Sequence, residues 1–108
     1  MNELIERIIE FNKTRGLLKE VNWAKEFSFI AEELSEGLRA NTNNDRVDAL
    51  ADIIVFAVGA MKKAGYNPSI VMDEVLLHIE SDTGYYDKEQ QKWIKTKRSY
   101  TPDFTKAQ

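Results

Sequence analysis

Asp45-Arg46-Val47-Asp48-Ala49-Leu50-Ala51-Asp52-Ile53-Ile54-Val55-Phe56-Ala57-Val58-Gly59-Ala60-Met61-Lys62-Lys63 is the stretch from which the fold can be read. Val47, Leu50, Ile54, Ala57 and Met61 recur every three or four residues, the period of one helix side. Asp45 is placed to cap the start. Lys62 and Lys63 suit the negative end of the helix dipole, and Gly65 just beyond suits a left-handed stop. From Ile53 to Met61 the helix is apolar all round and needs cover on every side. Three companion helices in a chain of 108 residues can hardly supply that alone. A homo-oligomer is therefore expected, most simply a homodimer with a homotetramer also possible, and Gly59 would allow close helix approach.

Working outward, Leu4, Ile5, Ile8 and Ile9 give one apolar stripe on a helix from Asn2 to about Gly16. Trp23, Phe27, Ile30, Leu34 and Leu38 give a second helix starting at Asn22 and running out in the loop Asn41-Thr42-Asn43-Asn44. After the quoted helix, Asn67-Pro68 reads as cap and first turn of a fourth, carrying Ile70, Val71, Val75, Leu76 and Ile79 to about Ser81. Short links between periodic helices predict an all-α chain, a four-helix antiparallel bundle unit that oligomerises through helix packing. Residues 1–80 form this helical domain. Residues 81–108 turn basic and hold Tyr85, Tyr86, Trp93, Tyr100 and Phe104, which predicts a partly ordered extension packed on the same domain by its aromatics.

Composition removes several function classes. The chain has no cysteine, so disulfides, thiolate metal sites and thiol chemistry are excluded. The net charge of −3 gives no overall attraction for nucleic acid, which is not an expected partner. The nine-residue apolar run is half a bilayer span, and the N-terminus carries no signal pattern, so a cytoplasmic protein without membrane contact is expected. GxxxxGK[ST], GxGxxG and HExxH are all missing. His78, the sole histidine, sits in Val75-Leu76-Leu77-His78-Ile79 and reads as a packed residue.

The acidic residues carry more. Glu36 lies one turn after Glu32 and Glu33, and Asp45, Asp48 and Asp52 follow an i, i+3, i+7 series on the next helix. Like charges one turn apart cost roughly 0.2–0.5 kcal/mol per pair, and Asp52 stands at the mouth of the apolar run. A divalent cation between the helices would relieve both, and Mg²⁺, which takes oxygen ligands and keeps waters beside substrate phosphates, fits better than zinc. The bland alternative is a solvated acidic face. Glu3, Glu6, Glu10 and Glu26 read as ordinary surface charge.

Glu32-Glu33-x-x-Glu36 followed by Asp48-Ala49-Leu50-Ala51-Asp52 resembles the MazG-like all-α nucleoside triphosphate pyrophosphohydrolase superfamily, which includes phosphoribosyl-ATP pyrophosphohydrolases and dimeric dUTPases. The likeness covers about residues 25–65, and its signature is EExxE and ExxD on two antiparallel helices. It implies cleavage of a nucleoside triphosphate between the α and β phosphates to the monophosphate and pyrophosphate, with Mg²⁺, or Mn²⁺, as cofactor. Carried over by position, Glu33, Glu36 and Asp52 are the metal ligands, with Glu32 or Asp48 as a further ligand or water-orienting base. Ala49 departs from the pattern, because the second motif has its glutamate there. Asp48 or Asp45 could stand in, or the chain could be a non-catalytic nucleotide-binding or helical interaction module. The resemblance also implies that lysines near a Tyr-x-Pro-Asp element approach the triphosphate, here Lys92, Lys95, Lys97 and Arg98 before Tyr100-Thr101-Pro102-Asp103. Trp23, Phe27 and Trp93 are candidates for base selection, and for Phe27 a place in the core is the preferred reading.

Overall fold

Asn22, Thr42 and Asn67 set where three of the four helices begin, in the computed structural model that describes residues 2–97 and 101–108. The helices are α1 (Asn2–Thr14), α2 (Trp23–Arg39), α3 (Asn43–Lys63) and α4 (Pro68–Ser81), followed by strands β1 (Thr83–Asp87) and β2 (Lys92–Lys97) and a 3₁₀ turn at Thr105–Ala107. The side chains of Asn22 and Asn67 accept from the N–H groups of Lys25 and of Ser69 and Ile70, and Pro68 occupies the first turn of α4. At α3 the cap is Thr42, not Asp45, because the helix starts three residues earlier and the Asp45 N–H donates to Thr42 Oγ1 at 3.1 Å. Gly16 and Gly65 take positive φ after α1 and α3, where a β-carbon would be strained.

Helices α2 and α3 form the structural spine. Their short link makes them antiparallel, so Glu26 meets Lys63, Phe29 meets Phe56 and Gly37 meets Ala49. The Gly37–Ala49 meeting is close: a β-carbon on Gly37 would lie 3.4 Å from that of Ala49. Helix α1 lies on α3, with Ile5, Ile8 and Val58 buried together and Ile9, Val55 and Met72 packed around them. Helix α4 touches both α1 and α3.

The hairpin is the part that an all-α expectation misses. Strands β1 and β2 pair antiparallel, with Tyr86 opposite Trp93 and Asp87 opposite Lys92. The strand backbones stand off the described helices. Tyr85, Tyr86 and Trp93 are each more than half exposed, so these aromatics do not anchor the extension as expected. It is anchored by what lies at either end of the hairpin. Buried Asp82 holds Lys95 at 3.4 Å on one side. On the other, the Asn67 N–H donates to the Ala107 carbonyl at 2.7 Å and Lys106 pairs with Glu74 at 2.7 Å. Tyr100 lies outside the described residues.

The isolated chain is under-packed for its size. Its radius of gyration is 16.1 Å, against about 13 Å for a compact chain of this length. The stripe Trp23, Phe27, Leu34 and Leu38 is half or more exposed, as are Val47, Leu50 and Ile54 of α3. Phe27, at 64% exposure, is thus on the surface of the chain, contrary to the core reading, because α1 and α4 cover other sides of the spine. No described helix is long and apolar enough to cross a membrane.

Candidate functional site

The α2–α3 pairing that sets Glu26 against Lys63 also sets Glu33 against Asp52, half-way along the spine. Glu36, one turn beyond Glu33, completes a group of three carboxylates. Burial of the Glu33 carboxylate, then the charges of Glu36 and Asp52 beside it, and then hydrogen bonding to those two carboxylates that favours its protonated form, push Glu33 up to about 6. Its Oε2 is buried without a hydrogen-bond partner. An ionised carboxylate held this way lacks a donor, so either a proton or a cation would satisfy it.

The other expected site residues spread out. Glu32, Asp45 and Asp48 are exposed. Ala49 is 5% exposed and packed against Gly37. As the side chains stand, no group of three or more histidine, aspartate or glutamate residues is arranged to hold a metal ion among the described residues. Of the six acidic residues read on the two helices, Glu36 and Asp52 are the ones whose charges act on Glu33. Lys92 and Lys95 sit on β2, with Lys95 committed to Asp82. The side chain of Lys97, and Arg98 altogether, lie outside the described residues. Trp23 is half exposed at the start of α2, its ring 6.3 Å from that of Phe27.

Beside the carboxylates a cavity of about 440 Å³ opens between α1 and the spine. Glu33 and Asp52 line one part of it. Glu26 and Lys63 line another, with Phe29, Phe56 and Val55 on the spine side and Phe11, Asn12 and Leu17 on the α1 side. Glu26 is the clearest departure from the sequence reading: it is 6% exposed, and both its oxygens accept from Lys63 Nζ, at 3.0 and 3.1 Å. The signal for this was present in the spacing. Glu26 lies seven residues before Glu33, two turns along the same face, and Lys63 lies eleven after Asp52, three turns along. Asn12 likewise continues the buried Ile5, Ile8 stripe and donates to the Ile8 carbonyl at 2.8 Å. Gly59 makes room for it, since a β-carbon there would stand 3.1 Å from Asn12 Oδ1.

The chain matches no family model, no curated protein and no solved structure in the comparisons with known proteins.

Proposed function

We propose that the protein is a Mg²⁺-dependent nucleoside triphosphate pyrophosphohydrolase, with Mn²⁺ able to replace Mg²⁺, and that its four-helix unit works as a homodimer or homotetramer. The observation that carries this reading is Glu33: a carboxylate with a buried, donor-less oxygen, between Glu36 and Asp52. These hard oxygens suit Mg²⁺, which commonly takes only one or two carboxylates and fills its remaining positions with water and phosphate oxygens. When bound, the cation supplies Lewis acidity toward the phosphate oxygens and the attacking water.

In this reading Glu33, Glu36 and Asp52 would hold the cation, with Glu32 or Asp48 as a further ligand or as the base that orients the attacking water and takes its proton. Water oxygen bonds to the α-phosphorus, the bond to the α–β bridging oxygen breaks, and pyrophosphate leaves. Positive charge for the leaving group comes from Lys92, Lys97 and Arg98, while Lys95 stays paired with Asp82. The exposed apolar stripes of α2 and α3 support oligomerisation, because contiguous apolar surface of this kind on a soluble chain marks an interface.

A second reading has one observation in its favour. Ala49 packs on Gly37 where a fourth carboxylate would complete the site, as in a binding module that has lost turnover. Incubation with a panel of ribo-, deoxy- and modified triphosphates plus Mg²⁺, with product identification, separates the two. Release of pyrophosphate and monophosphate, lost in Glu36→Gln, supports the enzyme. Nucleotide binding without any product supports the module.

A further inference from the structure

We propose that the cavity between α1 and the α2–α3 spine is the subsite for the nucleobase, and that the buried Glu26–Lys63 pair reads the base's hydrogen-bonding edge. This rests on the reading of Glu33, Glu36 and Asp52 as the phosphate end of the same site.

The cavity volume of about 440 Å³ falls within the range of small-molecule sites. Its polar groups are divided between two ends. Glu26 and Glu33 are seven residues apart on one helix, about 10 Å of rise, so a ligand with phosphates at Asp52 and Glu33 would place its other end near Glu26 and Lys63. Between the ends stand the stacked rings of Phe29 and Phe56, with centroids 5.5 Å apart and planes at 30°. Both rings line the cavity, and aromatic side chains of this kind accept any base by face or edge contact.

Discrimination needs an edge reader, and the ion pair has the required chemistry. An ammonium has three N–H donors, and Lys63 uses two on the oxygens of Glu26, which leaves a third for a ligand. Each Glu26 oxygen keeps a second lone pair. The pair therefore offers a donor and an acceptor side by side, complementary to the adjacent acceptor and donor on the edge of a nucleobase. Asn12 adds an amide from the α1 wall. Stability alone gives little reason for the arrangement, because a buried ion pair is often no more stabilising than apolar residues of similar volume. A cavity wall that must read a polar edge does give one.

Calorimetric titration of the full-length protein, with Ca²⁺ replacing Mg²⁺ to prevent turnover, tests this with adenine, guanine, cytosine and uracil triphosphates and with inorganic tripolyphosphate, which has no base. The wild type is expected to separate its best and worst nucleotides by at least tenfold and to bind the best one more tightly than tripolyphosphate. Lys63→Arg, which keeps the charge and the partner but moves the donors, is expected to reorder or compress the ranking by about tenfold, while tripolyphosphate still binds. Glu26→Gln should do the same if it folds. The proposal is overturned if Lys63→Arg retains the wild-type ranking, or if tripolyphosphate binds the wild type as tightly as every nucleotide. If the wild type binds neither nucleotides nor tripolyphosphate, the phosphate-end reading itself has failed and this proposal goes with it.

Discussion

Replacing Phe27 by aspartate should dissociate the protein without unfolding the protomer. The accessible surface of the isolated chain is 8187 Å², whereas a folded monomer of 12.5 kDa is expected to show about 6,200 Å². The excess, about 2,000 Å² per chain, is the scale of surface that a permanent homodimer removes from water. Phe27 is 64% exposed, so covering the free part of a ring of roughly 200 Å² removes about 130 Å² from water. At about 25 cal/mol/Å² this contributes about 3 kcal/mol per protomer and about 6 kcal/mol per symmetric dimer. Association never recovers the full area term, so a weakening of at least a hundredfold in Kd is the conservative expectation. Sedimentation equilibrium over a wide concentration range reads this directly, with circular dichroism confirming that Phe27→Asp stays helical. A wild type that is monomeric throughout, or a Phe27→Asp variant that associates as the wild type does, would refute the reasoning.

Four further outcomes are expected. Glu33 is raised to about 6, so between pH 4.5 and 6 the folded state holds a proton that the unfolded state has released, and metal-free stability should fall as pH rises through that window. Denaturant melts of Glu33→Gln should lack this slope, and cation affinity in the wild type should climb across the same pH range. Ala49→Glu should lower the melting temperature by several degrees, because it forces a carboxylate into the contact with Gly37, and added Mg²⁺ should recover part of the loss. Thr42→Ala should cost about 0.5–2 kcal/mol in chemical denaturation through loss of the α3 cap. Gly84→Ala should disrupt the hairpin while leaving the helices intact, since a β-carbon there would collide with the Ile94 carbonyl oxygen, and NMR shifts confined to residues 83–97 would report it.

How much of this was legible depends on which signals are local. Helix ends followed from Asn22, Asn67-Pro68 and the glycines at 16 and 65, all of which act within one turn of chain. The α3 start slipped by three residues because Asn41-Thr42-Asn43-Asn44-Asp45 contains five consecutive residues able to cap. The hairpin was missed because Thr83–Asp87 is short, and its aromatics read equally well as anchors on a helix face. At the site, helical spacing and antiparallel pairing gave two acidic faces of six residues, and only the resemblance singled out Glu33, Glu36 and Asp52, which act on one another in the structure. Glu26 and Lys63 lie on the same two faces, but their meeting across 37 residues follows only once the register that sets Glu33 against Asp52 is known.

The central claim is that carboxylates from α2 and α3 share one cation, and electron paramagnetic resonance of Mn²⁺ titrated into the protein tests it most directly. The account predicts saturable loss of the free Mn²⁺ signal at about one ion per site, competed by Mg²⁺ and lost alike in Glu33→Gln on one helix and Asp52→Asn on the other. Binding that survives both substitutions, or no binding with or without a triphosphate present, would contradict it.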